Sequence, residues 1–176
     1  TGWYDALLHE GFKQYMGWKA KARSEGTRGT TRIMVGPWSH GGIGTAESFG
    51  DVDFGQSGAV DMVDEQVRWY DRRLRDMDNG IDDEPPVRIF VMGRNEWRSE
   101  SDWPLPDTRY ANWYLHGGRS GTVESLNDGA LSAAPPQDGE QPDSFTYDPD
   151  HPVSSIGGNT LGIDSGVRDH RSVDEL

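Results

Sequence analysis

Apolar residues in the first eighty positions recur with helical, then strand-like, then helical spacing. Leu8, Phe12, Tyr15 and Met16 fall at i, i+4, i+7 and i+8, one stripe of a helix predicted over residues 6–22. The polar stretch Ser24–Thr31, with Gly26 and Gly29, reads as a surface loop. Arg32-Ile33-Met34-Val35 is a short run suited to a buried parallel strand, and Gly36-Pro37 is expected to break it. After a glycine-rich loop from Gly41 to Gly58, a second helix is predicted from Ala59 to Met77, capped by Ser57 or Asp61. Val63, Val67, Tyr70, Leu74 and Met77 hold its apolar spacing, and Asp64, Arg68, Asp71 and Arg75 supply its solvated face.

Asn79-Gly80, the acidic Asp82-Asp83-Glu84 and Pro85-Pro86 read as a linker over 81–86, dividing a domain at 1–80 from one at 87–176. Beyond it the helical period disappears. Val87–Met92 and Ala111–Leu115 read as strands, and shorter β-like stretches recur near Ser144–Tyr147 and Thr160–Ile163, separated by Gly, Pro and Asp. That texture predicts a β-sandwich or jelly roll, with the Pro-, Ala- and Gln-rich segment 128–142 as a long surface loop.

Composition narrows the function classes. Hydrophobic residues make up only 33%, but seven Trp, six Tyr and five Phe allow an aromatic-rich core. No apolar run approaches the roughly 18 residues a membrane span needs, so a soluble chain is expected, with the cytoplasm slightly favoured. The net charge of −13 argues against nucleic acid as a partner, because neutralising phosphates needs clustered Lys and Arg. The Asp-rich, Lys-poor balance suits either a salt-tolerant host or a GC-rich codon bias. Without cysteine there is no disulfide framework, thiolate metal site or thiol nucleophile. Thr1 reads as an internal start, so the lack of a signal peptide carries no information.

Two residues stand out chemically. Asp5 closes a short run just before the first helix, and His40 closes the run that follows the predicted strand. Alone, Asp5 reads first as a helix cap and His40 as a structural histidine. Together they sit where one α/β crossover would bring a carboxylate and an imidazole to the carboxyl ends of neighbouring parallel strands, the usual place for functional groups in such sheets. A carboxylate there can hold the histidine's tautomer and stabilise its cation. Gly55-Gln56-Ser57-Gly58 looks like a nucleophile elbow, but no buried strand leads into Ser57 and it follows the histidine, the wrong chain order. His9, His116, His151 and His170 show no metal-ligand spacing. The acidic clusters 51–53 and 82–84 fall short of a calcium loop.

Three motifs carry a family resemblance: Gly2-Trp3-Tyr4-Asp5, Gly36-Pro37-Trp38-Ser39-His40-Gly41 and Arg68-Trp69-Tyr70-Asp71-Arg72-Arg73-Leu74. The stretches Pro86–Gly93, Asn95-Glu96-Trp97-Arg98, Asp102–Pro106 and Tyr147–Val153, with Gly157-Gly158, continue it in order. The chain resembles the closing part of the cocaine-esterase-like hydrolases, grouped with X-Pro dipeptidyl-peptidases and α-amino-acid ester hydrolases. The resemblance implies the end of an α/β-hydrolase domain followed by a galactose-binding-like jelly-roll β-sandwich, both incomplete. It implies Asp5 as catalytic acid and His40 as catalytic histidine of a serine hydrolase whose nucleophile lies upstream, so that the chain alone is inactive. It implies an ester, amide or short-peptide substrate, no metal or organic cofactor, and no nucleic-acid or membrane partner. The competing expectation is a non-catalytic β-sandwich that binds ligands on exposed Trp97, Trp103 and Trp113.

Overall fold

A computed structural model describes residues 1–44, 48–117, 129–140, 146–152, 154–161 and 165–173. Strand β1 (Gly2–Tyr4) leads into helix α1 (Leu8–Lys21), and a short helix α2 (Glu25–Thr30) precedes strand β2 (Ile33–Ser39). A two-stranded hairpin, β3 (Ser48–Phe49) with β4 (Val52–Asp53), precedes helix α3 (Met62–Arg75). Strands β5 (Val87–Val91) and β6 (Glu96–Glu100) follow, then β7 (Tyr114–His116) and β8 (Ala130–Ser132).

The main sheet has the order β1-β2-β5-β6. β1 and β2 run parallel, β2 and β5 run parallel with Ile33 opposite Val87, and β5 turns back antiparallel into β6. Side chains alternate across a strand, and this alternation sorts the two helices. Val35, Val87 and Ile89 pack with Phe12 and Tyr15 of α1, joined by Trp3, Ile33 and Trp103, with Phe12 stacked on Trp103 at 4.1 Å. Arg88, on the opposite face, pairs with Glu65 of α3 at 3.0 Å. One helix therefore covers each face.

The chain divides into two compact units, Thr1–Pro106 with Ser154–Leu176, and Asp107–Val153. The division does not fall at the linker expected over 81–86. That stretch forms a turn at Ile81–Asp83 with Ile81 buried. Its acids are held by arginines: Arg72 and Arg73 on Asp82, and Arg68 and Arg32 on Glu84. Val87 then opens β5, which pairs in parallel with β2. The second unit, described on its own, contains the β7–β8 hairpin, in register Tyr114 to Ser132 and His116 to Ala130.

Other expectations shift for local reasons. Ser24–Thr31, read as loop, winds into α2 because the Ser24 hydroxyl caps the Thr27 N–H. β2 runs past Pro37 to Ser39, since pairing with β5 ends at Val35 and pairing with β1 slips between Gly36 and Ser39. The missing proline N–H falls where the ladder is already irregular. Asp61, not Ser57, caps α3, accepting from the Val63 and Asp64 N–H groups. The apolar stripe of α3 faces solvent: Val63 is 71% and Leu74 76% exposed, while Glu65, Trp69 and Arg73 turn toward the sheet and its flanking turn. β8 occupies part of the segment read as surface loop, and of Ala111–Leu115 only its last two residues enter β7. The β-like stretches near 144–147 and 160–163 lie partly outside the described residues.

Candidate active site

β1 ends by turning: the Asp5 N–H donates to the Gly2 carbonyl and the Asp5 carbonyl accepts from Leu8. The turn buries the Asp5 side chain and aims it across the top of the sheet. Its Oδ2 accepts from the Thr1 hydroxyl at 3.0 Å. Its Oδ1 accepts from the Leu7 N–H at 2.9 Å and lies 3.1 Å from His40 Nδ1. Burial pushes the Asp5 carboxyl up, but the Leu7 N–H, the Thr1 hydroxyl and the His40 ring outweigh it, leaving the group below the usual carboxylate range.

His40 starts a short turn just past β2 and keeps its ring about half exposed. Trp38, two residues earlier, anchors this strand end. It is fully buried, and its Nε1 donates to the Gly58 carbonyl at 2.6 Å. Gly36 makes room for the indole: a Cβ there would sit 2.4 Å from Trp38 Cε2. Gly2 does the same for the backbone, since its Cβ would meet the Trp38 carbonyl oxygen at 2.0 Å. Gly2 thus serves the approach of β1 to β2, which brings Asp5 to His40, and Gly36 seats the indole that anchors the end of β2.

A carboxylate only accepts, so the Asp5 contact selects Nδ1–H and turns the other ring nitrogen into an acceptor on the half-exposed edge. Along the chain on either side of His40, Ser39 and Gly42 line a hollow of about 370 Å³ together with Phe49, Leu161 and Ser165. Part of that wall comes from the chain's far end. Gly158 and Gly166 pair backbone to backbone, Val167 bridges to Gly50, and Arg168 holds Asp51 at 2.9 Å. Asn159 Nδ2 donates to the Asp5 carbonyl at 3.4 Å. Sequence reading missed Asn159 and Ser165 because no local pattern links them to residues some 150 positions away. The glycine pair Gly157-Gly158, both at positive φ, was the available signal.

Comparison with known proteins places this geometry in context. A family model described as the X-Pro dipeptidyl-peptidase C-terminal non-catalytic domain matches residues 79–156. Cocaine esterase of Rhodococcus sp. (strain MB1 Bresler) is 34% identical over 178 residues, covering 98% of this chain and 29% of its own length. The chain belongs to the cocaine esterase and X-Pro dipeptidyl-peptidase family, in its C-terminal part. A serine-esterase-like protein of Mycobacterium bovis is 30% identical over 123 residues, 68% of this chain and 17% of its own length. This member of the family therefore spans less than a third of the length of the curated relatives it matches.

The family membership read from the Gly2–Asp5 and Gly36–Gly41 motifs is borne out, and with it a hydrolase affiliation. The family match spans β5, β6 and the second unit, in keeping with a non-catalytic β-sandwich region.

The remaining candidates of this family member separate cleanly. Ser57 sits in a turn at Gln56–Gly58, preceded by the two-residue β4, and its hydroxyl donates to the Asn95 carbonyl at 3.0 Å. Trp97 packs against Trp38 and Phe90, and Trp103 against Phe12 and Trp3, so two of the three tryptophans expected as a platform are core residues. Trp113 alone of the three is largely exposed, at 62%. Asp51 and Asp82 are neutralised by Arg168 and by Arg72 with Arg73. Among the described residues no cluster of three or more His, Asp or Glu is arranged to hold a metal, and no helix is long and apolar enough to cross a membrane.

Proposed function

We propose that this chain supplies the acid and the histidine of a Ser-His-Asp acyl hydrolase site. In this reading the segment from β1 through α3 is the closing part of an α/β-hydrolase domain, and a β-sandwich region follows it. The observation that carries the proposal is the 3.1 Å approach of Asp5 Oδ1 to His40 Nδ1 at the ends of two adjacent parallel strands. Family relatives named as esterases support the reaction class.

Asp5 holds His40 with its proton on Nδ1. The other ring nitrogen takes the proton of a serine hydroxyl as that oxygen attacks an ester or amide carbonyl, then returns it to the departing alcohol or amine. Asp5 stays ionised and stabilises the imidazolium that forms between these steps. The buried carboxylate suits this role, because it is already fully hydrogen-bonded before the charge on the ring appears. In this reading Ser57 is not the nucleophile, because its hydroxyl is held on the Asn95 carbonyl.

The test is a chimera in which this chain replaces the matching 29% of the Rhodococcus cocaine esterase. Turnover of a p-nitrophenyl ester by the chimera should fall by about 10⁴-fold with Asp5→Asn, as when a triad acid loses its charge, and at least as far with His40→Ala. The chain by itself should show no turnover that depends on His40. An active chimera indifferent to both substitutions would remove the proposal.

A further inference from the structure

The second unit contains a histidine whose contacts specify its charge. His116 ends β7, and both of its ring nitrogens face oxygen acceptors. Nδ1 lies 3.0 Å from each carboxylate oxygen of Glu140, and Nε2 lies 3.1 Å from the Ala134 carbonyl. Neither a carboxylate nor a carbonyl can donate. A neutral imidazole has one N–H and one lone pair, so either tautomer would set a lone pair against an oxygen. Only the imidazolium, with two N–H groups, satisfies both contacts.

The partners belong to one loop. Residues 133–140 follow β8 and return to the hairpin end, with the Ala134 N–H tied to the Ser132 hydroxyl and the Glu140 N–H to the Gln137 carbonyl. A hollow of about 510 Å³ separates loop and hairpin, lined by His116, Ser132, Pro135, Gln137, Asp138 and Glu140. Among the described residues, the charged groups lining it with His116 are Glu140 and Asp138, both acidic. Backbone N–H groups of Gln137 and Gly117 also favour the ionised form of Glu140.

We propose that the 133–140 loop is a flap latched to the β7–β8 hairpin by a protonated His116, and that it releases as pH rises. The Glu140 carboxylate, first, and the Ala134 carbonyl hold the His116 ring above the ordinary imidazole range, while the imidazolium holds Glu140 below the ordinary carboxylate range. For a group raised on closing, the stabilisation is complete below its ordinary value and is lost as pH rises through the raised one. For Glu140, lowered on closing, it is complete above the ordinary value and is lost as pH falls through the lowered one. The latch is closed between those limits and opens on either side. The mechanism is independent of Asp5 and His40, so it stands or falls apart from the hydrolase reading.

Nitrogen-15 spectra of histidine-labelled full chain, recorded from acid to alkaline pH, read the ring state directly. The expected result is a His116 imidazolium that persists above the ordinary imidazole value of about 6.5. Glu140→Gln should bring that titration down, and amide protection in 133–140 should be lost over the same interval in the parent chain only. His116→Gln, which cannot carry charge, should lack the protected state at every pH. A His116 ring already neutral at pH 6, or a titration unmoved by Glu140→Gln, would overturn the latch.

Discussion

Gly36→Ala tests how tightly the motif around His40 is built. The added methyl would lie 2.4 to 2.5 Å from three indole carbons of Trp38, where ordinary carbon contacts are about 3.5–4.0 Å. The ring would need to retreat by roughly 1 Å. It has nowhere to go, because Trp38 is fully buried and its Nε1 is held on the Gly58 carbonyl. Overpacking of this kind costs about 1–3 kcal/mol. Losing a buried hydrogen bond and leaving its acceptor unpaired costs about 1–3 kcal/mol more. Taking about 3 kcal/mol in all, and about 2–4 °C of Tm per kcal/mol for a chain of this size, the midpoint should fall by roughly 10 °C. Gly17→Ala is the matched control. It adds the same methyl within α1 where nothing lies within 4 Å, and should stabilise by about 0.5–1 kcal/mol. Thermal unfolding followed by circular dichroism, with the Trp38 indole N–H signal as a local reporter, separates the two. A Gly36→Ala chain with unchanged Tm and an unmoved indole signal would refute the packing argument.

Three further outcomes follow from named contacts. Asp5 is held below its ordinary range, so its stabilisation is complete above the ordinary carboxylate value and lost as pH falls through the lowered one; Asp5→Asn should flatten that acid limb in urea unfolding measured against pH. Asp102 accepts from Lys19 at 2.8 Å, Tyr15 at 3.3 Å and the Trp103 N–H, tying α1 to the turn after β6, and a Lys19/Asp102 double-mutant cycle should return at most about 1 kcal/mol because the pair is partly solvated. Leu74→Lys on the exposed stripe of α3 should leave the isolated chain's stability within about 0.5 kcal/mol, whereas burial of that face would make it strongly destabilising.

Features written within a dozen residues were legible in the chain. The Leu8, Phe12 and Tyr15 stripe of α1, the start of β2 and the placing of Asp5 and His40 just past successive strands follow from local period, and the fold reproduces them. Met16 of the stripe, by contrast, is exposed, and β2 runs through the expected break at Gly36-Pro37. Features set by distant partners were not. A helical period shows that Val63, Val67, Tyr70 and Leu74 share one face of α3, but not which face meets the sheet; the ion pairs of Glu65 and Arg68 with Arg88 and Glu84 decide that. Asp82 and Glu84 look like solvated linker until arginines from α3 and the start of β2 are seen to hold them. Val87–Val91 has the composition of a strand, but its pairing partner Ile33–Val35 lies on the far side of α3 in the chain and no local pattern names it.

A carboxylate placed before a helix reads either as its cap or as the partner of a histidine. In the folded chain no side chain caps α1; Asp5 Oδ1 accepts the Leu7 N–H in the turn ahead of the helix and faces His40 Nδ1, while Oδ2 takes the Thr1 hydroxyl. These contacts reinforce each other. The backbone N–H fixes the carboxylate's position and favours its ionised form, and an ionised, immobile carboxylate is what the imidazole needs to keep its proton on Nδ1. The turn of Asp5, Ala6 and Leu7 between β1 and α1 supplies that N–H. The turn is therefore part of the physical basis of the proposed catalytic pair.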